Sequence, residues 1–217
     1  MSPHALGLDS VRLASDGWRV CERGERDVLW QDADDDFIRV TLFPNKTELP
    51  SQSLVTLRDY FRGVALSNNG GVVSVDVQSI AGVPCVRNIF KFLQKPHGMV
   101  ALGSLVIPRR DVSWVIRVQC PEVGVAATGM REAGIMAQHL HLQKASGDDP
   151  LEGWMFDPYD PTRKDPLMRN LADDEKYDEA FPWHPLARVR RKLADIRETT
   201  RIDAAVSASA AFPLPTF

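Results

Sequence analysis

The sequence predicts an α+β protein in which an antiparallel β-sheet of about six strands is sandwiched with helices. Three observations carry this reading. Segments of two-residue alternation recur, as in 37–43, where Ile38, Val40 and Leu42 share one face and Arg39 and Thr41 the other. The turns between consecutive segments are short, which pairs neighbours antiparallel. Stretches of helical periodicity lie before and after the main run of strands.

Taken in order, Gly17 and Trp18 open a short segment and Asp27–Gln31 reads as a strand. The acidic turn 32–36 and the alternating 37–43 complete a hairpin. Pro44 ends it, because proline has no N–H to give a ladder. Ser51 and Ser53 are both candidate N-caps for the helix that follows. Its Leu54, Leu57, Tyr60, Phe61 and Val64 recur at helical spacing, and Asn-Asn-Gly-Gly at 68–71 stops it.

Four strands are expected next. Val73, Val75 and Val77 alternate with polar residues, and Gly82, Val83 and Pro84 turn the chain. Residues 85–93 and 99–107 are mostly apolar on both faces, as interior strands are. Val112, Trp114, Ile116, Val118 and Cys120 share one face of the last strand. Pro121 predicts the first turn of a second helix. Its stripe would be Val123, Ala127, Met130, Ala137 and Leu140. Gly124, Gly129 and Gly134 would weaken it, and close packing on the sheet would account for them.

This order of elements, with the segments DDDFIRVTLFP, SLVTLRDYF, IAGVPCVRNIFKF and WVIRVQCPEVG, resembles the PsbP-like superfamily over residues 17–142. That superfamily includes a photosystem oxygen-evolving subunit, a Ran-binding nuclear-import factor and small bacterial proteins. Some of the latter resemble adaptor chaperones of type VI secretion effectors. The resemblance implies the sandwich fold and supplies no shared catalytic set. Small bacterial members end near the second helix, whereas this chain continues for some 70 residues.

The reading divides the chain into a sandwich over 1–149, an arm and helix over 150–200 packed on it, and a flexible tail over 201–217. Residues 150–183 hold six aromatics, among them Trp154 and Tyr159, and a flexible linker would be poor in them. Pro185 then starts a helix. Leu186, Val189, Leu193 and Ile196 form its apolar stripe, and Arg188, Arg190, Arg191, Lys192 and Arg197 its basic face. The acidic run 173–179 upstream can neutralise that face.

Composition bounds the function classes. At 217 residues, 44% apolar and 25% charged, the chain can build its own core, and global disorder is excluded. A net charge of −3 argues against coating nucleic acid. Apolar runs are too short for a helix to span a bilayer, so no membrane insertion is expected. No signal-peptide pattern is present, and Cys21, Cys85 and Cys120 suit reduced, apolar positions, so a cytoplasmic location is expected.

No constellation dictates a chemistry. Asp32, Asp34 and Asp36 have the spacing that opens a calcium loop, but Phe37 and Phe43 stand where it needs Gly and Glu. A solvated turn is expected instead. His139 and His141 diverge on a helix, and no residue is spaced to orient His97 beside Cys85. No catalytic residue, cofactor or metal is expected. The reading is a non-catalytic interaction or adaptor protein that binds a protein segment on the sheet or in a groove. Candidate partner-binding residues are Tyr60, Phe61, Trp154, Tyr159, Arg188 and Arg191, and the pocket to watch lies between the first helix and the sheet. The alternative is a small-ligand protein or enzyme with its site between sheet and arm. The oligomeric state is not legible.

Overall fold

The computed structural model describes residues 6–50, 53–94, 98–123, 128–146 and 149–215. In chain order, short β1 (Val11–Arg12) precedes β2 (Arg19–Arg23), β3 (Asp27–Gln31), β4 (Phe37–Phe43) and helix α1 (Leu54–Ser67). Then come β5 (Gly70–Ile80), β6 (Val83–Leu93), β7 (Met99–Pro108), β8 (Ser113–Pro121) and α2 (Thr128–Ser146). The arm carries the two-residue strands β9 (Met155–Phe156) and β10 (Arg169–Asn170), before α3 (Pro185–Thr199), β11 (Arg201–Ile202) and α4 (Ala204–Ala208).

Seven strands form one antiparallel sheet in the order β2-β3-β4-β8-β7-β6-β5. The extra strand relative to the sequence reading is β2, an edge strand whose five residues are all exposed. A strand with no buried face has no hydrophobic alternation to betray it. Ser53 caps α1: its hydroxyl accepts from the Thr56 N–H at 3.1 Å, and Thr56 Oγ1 accepts from the Ser53 N–H at 3.1 Å. Asn69 takes a left-handed φ of 55° and releases the chain into β5. The β5–β6 turn is Ala81-Gly82, both at positive φ, rather than Gly82 to Pro84.

The sheet has a core on each face. One face carries Ile38, Leu105, Ile107, Trp114 and Ile116, and α3 packs there through Leu186, Val189, Leu193 and Ile196. A Cβ built on Gly103 would stand 2.5 Å from Leu193 Cδ1 and 2.8 Å from Val189 Cγ2. Glycine there lets the helix lie directly on β7. The other face carries Val75, Val77, Val86 and Phe90 under Leu57, Phe61 and Ala65 of α1.

The helix opposite α1 is therefore α3, and α2 has a different role. Pro121 is the last residue of β8, paired with Val100, and α2 starts at Thr128; Gly124 and Ala127 lie outside the described residues. Met130, Ala137 and Leu140 are exposed, while Arg131, Ile135 and His139 face inward. They pack on the arm, where Ile135, Trp154 and Ala172 form a small cluster. Arg131, fully buried, donates to the carbonyls of Ala172 (2.6 Å) and Asp174 (2.8 Å) and to Asp178 (2.9 Å). A Cβ on Gly129 or Gly134 would meet nothing within 4 Å, so close packing on the sheet is not why they are glycine.

The segment after Thr200, expected as a flexible tail, is in contact with the body. β11 pairs with β1, Val206 is fully buried in the α3-side core, and Ala211 bridges Arg109. Apolar content too sparse to show periodicity still finds a seat when the body supplies the second surface.

Candidate binding groove

A single helix cannot cover one face of a seven-stranded sheet. α1 packs on β5, and Leu49, Tyr159 and Leu214 add cover to this face without filling the space over β7 and β8. The result is a groove of about 430 Å³ between α1 and the sheet. Tyr60, Phe61 and Val64 of α1 form one wall and Phe43 at the end of β4 another. Phe61 is buried against Phe90, with ring centroids 6.2 Å apart, whereas Tyr60 and Val64 stand exposed at the rim. Residues 45–48 close one end. Thr47 fixes them by donating from its hydroxyl to the Arg109 carbonyl (2.6 Å) and from its N–H to the Arg110 carbonyl (3.1 Å).

Apart from Ser113 near the Phe43 end, the polar floor residues lie in one transverse row. Asn88, Ser104 and Arg117 are register partners on β6, β7 and β8. Adjacent strands are about 4.8 Å apart, so the row runs roughly 10 Å from Asn88 to Arg117. The rows beside it are Phe90 with Leu102, and Val86 with Val106 and Val115. Asn88 is 1% exposed, and its Oδ1 has no hydrogen-bond partner among the described residues. Such a group is costly unless something pairs with it. Arg117 is exposed and has no ion-pair partner among the described residues. It faces Arg39 in the β4–β8 register, and Arg39 is balanced by Glu22 (3.0 Å) and Asp27 (2.6 Å). The desolvation Arg117 does suffer, and then the Arg39 charge, lower its pKa. Among the described residues no carboxylate stands on the floor; Glu48 and Lys46 are at the end of the groove.

The sequence-predicted residues fare differently. Tyr60 and Phe61 line the groove. Trp154 does not: it is buried under α2, its ring 5.7 Å from His139. Tyr159 lies against the β5 edge, where its hydroxyl accepts from the Val75 N–H at 2.5 Å and donates to the Val75 carbonyl at 3.2 Å. The guanidinium of Arg58 stacks on its ring at 3.8 Å. This contact takes up backbone groups that an edge strand would otherwise present. Both aromatics are held inside the chain because the arm has the sheet edge and α2 to cover.

Arg188 is also internal, buried against the fully buried carboxylate of Asp36 at 2.7 Å. The acidic turn is thus solvated at its tip, residues 33–35, as expected, but its Asp36 end is buried. The oxygens of Asp32, Asp34 and Asp36 converge within 4.8 Å, and the Lys192 ammonium stands among them, 3.2 Å from Asp36 and 3.6 Å from Asp34. Burial raises the Asp36 pKa against the opposing pull of Arg188 and Lys192. Arg190 pairs with Asp178 at 2.8 Å, which leaves Arg191 exposed, donating to the Pro182 carbonyl at 3.2 Å. The basic face of α3 is therefore mostly spent on this chain's own acids.

Other candidate groups are structural. His184 Nδ1 accepts from the Leu186 N–H at 3.2 Å as the N-cap of α3, so its Nε2–H donates to Glu132 at 3.0 Å. Cys85 is fully buried, and that burial pushes its thiol up to about 12, the opposite of an activated nucleophile. Its imagined partner His97 lies outside the described residues. A second concavity of about 410 Å³ lies between the sheet and the arm, with Lys91, Asp173 and Glu132 in its wall. Lys91 and Asp173 are already paired at 2.6 Å.

Fold and groove together define an α+β protein with an open, aromatic-walled groove on one sheet face. No protein-family model matches the chain, and no curated protein matches it. Among solved structures, it is similar to a Bacteroides thetaiotaomicron protein (14% identity, TM-score 0.36), covering 56% of this chain and 42% of that one. It is also similar to cyanobacterial PsbP from Synechocystis (15% identity, TM-score 0.33), covering 67% of this chain and 95% of that one. No described helix is long and apolar enough to cross a membrane.

Proposed function

We propose that this is a non-catalytic binding protein that takes an apolar segment of another protein into the groove between α1 and the sheet. One observation carries the reading. The groove is apolar and aromatic, and its few ionisable groups do not converge on a point where a reaction could be run. An adaptor role and a cytoplasmic location belong to the same proposal. So does the absence of nucleic-acid binding, which the internal pairing of Arg188, Arg190 and Lys192 supports.

The test is fluorescence anisotropy with labelled peptides that alternate leucine and serine, against wild type and the rim variants Tyr60→Asp and Val64→Asp. Both side chains are exposed, so the variants keep the fold. Saturable binding that either variant abolishes supports the proposal. Binding indifferent to both variants, or no binding, contradicts it. One observation favours a second reading, a small-ligand or enzyme site between sheet and arm: the other concavity, where the Lys91–Asp173 pair and Glu132 meet. A ligand whose binding is lost on Glu132→Gln while the rim variants behave as wild type would establish that reading.

A further inference from the structure

We infer that the cleft between the β5–β6 hairpin and α3 is an anion site that takes a phosphate group, as the free ion or as the ester of a small molecule. It lies on the sheet face opposite the groove, so it goes beyond the protein-binding reading and stands apart from it. The cleft is about 200 Å³, room for roughly six waters at about 30 Å³ each. Arg87 of β6 lines it from the sheet, and Arg190 and Arg197 of α3 line it from the helix. The two helix positions are close to two full turns apart, which puts both on one side of α3. Leu193 stands between them as apolar wall, and Gln78 of β5 adds an amide.

The chain under-neutralises these cations. The Arg87 side chain is only 16% exposed, yet it donates to a neutral group, the Ser74 hydroxyl, at 3.3 Å. Its carboxylate neighbour Asp76 is 3.6 Å away and is shared with Arg58 at 3.8 Å. Arg190, 11% exposed, holds Asp178 at 2.8 Å, but the same carboxylate also serves the fully buried Arg131 at 2.9 Å. Two carboxylates are thus divided among four arginines. Arg197 donates to Gln78 Oε1 at 3.3 Å, which occupies that carbonyl and leaves the Gln78 amide nitrogen as a donor. Burial lowers the Arg87 pKa; Asp76 and Glu175 oppose this, and the Arg190 charge adds to it. Among the described residues, Glu175, exposed, is the one carboxylate in the wall.

The size of the shortage selects the ligand. A carboxylate brings one charge and two oxygens in a plane, and a phosphodiester strand also brings one charge per phosphate. A phosphate monoester brings a charge of about −1.5 to −2 and three acceptor oxygens. Guanidiniums reaching in from a strand and from a helix match such a group, each able to give paired N–H donors.

The experiment is isothermal titration calorimetry near neutral pH with potassium phosphate, glycerol phosphate and potassium acetate, the ionic strength held constant with potassium chloride. At least one phosphate probe should bind saturably and at least about tenfold tighter than acetate. The tighter of the two names the source, free ion or ester. Arg87→Gln and Arg197→Gln should each weaken that binding about fivefold or more, and Glu175→Gln should tighten it by removing the competing charge. Arg197 is partly exposed, so its variant decides the matter if Arg87→Gln does not fold. Acetate binding as tightly as phosphate, affinities unchanged in the arginine variants, weaker binding in Glu175→Gln, or no saturable heat with either phosphate probe would each overturn the inference. None of these outcomes touches the groove, whose peptide binding is read separately through Tyr60→Asp.

Discussion

The packing of α3 on β7 at Gly103 makes a coupled prediction. Leu193 is 1% exposed, and its Cδ1 lies over the glycine. Leu193→Ala removes most of a fully buried side chain and leaves a void, so it should cost about 2–5 kcal/mol. Gly103→Ala does the reverse. Its new Cβ would sit 2.5 Å from Leu193 Cδ1 and 2.8 Å from Val189 Cγ2, contacts that real Cβ atoms do not make. The helix must lift or the side chains leave their rotamers, at a cost of about 1–3 kcal/mol. In the double variant the closer of the two clashing atoms is gone and the new methyl occupies part of the void. The double variant should therefore be more stable than the sum of the singles by roughly 1 kcal/mol or more, with Val189 limiting the recovery. Urea denaturation followed by circular dichroism measures all four proteins. Strict additivity would refute direct packing of Leu193 on Gly103. A Leu193→Ala cost below about 1 kcal/mol would refute α3 as a core element.

Two further predictions concern charge. Asp36→Ala leaves Arg188 buried without its carboxylate and should cost about 3–5 kcal/mol by denaturant titration, whereas a solvated turn residue would cost almost nothing. Asp157 anchors the arm to α1, accepting from Arg62 Nε and Nη2 at 2.8 Å each. Desolvation opposes it, but these bonds hold the Asp157 pKa below its ordinary 3.8. A depressed carboxylate contributes stability that is full above its unfolded-state value and is lost as pH falls through the folded value. Melting temperature should therefore fall below about pH 4 more steeply for wild type than for Asp157→Asn, and identical slopes would contradict the anchor.

Local periodicity made much of the sheet legible. The alternation in 37–43 and 113–120 needed no tertiary information, and neither did the α3 stripe. What stayed hidden depended on pairings distant in sequence. Alternation groups Val73 with Val75 and Val77, but a register shift between Val72 and Ser74 sends it to the α3-side core. Arg131 and His139 face inward on α2 because the arm supplies carbonyls and an aromatic ring, which helical periodicity cannot reveal. Asp36 looked like one acid in a polar turn, and its burial comes from a helix some 150 residues later. The groove was half legible. Tyr60 and Phe61 recur at helical spacing in the sequence, but Asn88 and Arg117 carry only a faint signal. Each is a polar residue at a face-matched position in a largely apolar strand, and only the strand register brings them into one row with Ser104.

Amide hydrogen exchange, with and without the leucine–serine peptide at saturation, tests the central claim most directly. The account predicts that added protection concentrates in the groove: in α1, in β7 around Leu102 to Val106 and in β8 around Ser113 to Arg117, with Tyr60→Asp reducing it. Protection confined to α3 and the arm, or to the concavity at Lys91 and Asp173, or no change anywhere, would contradict it.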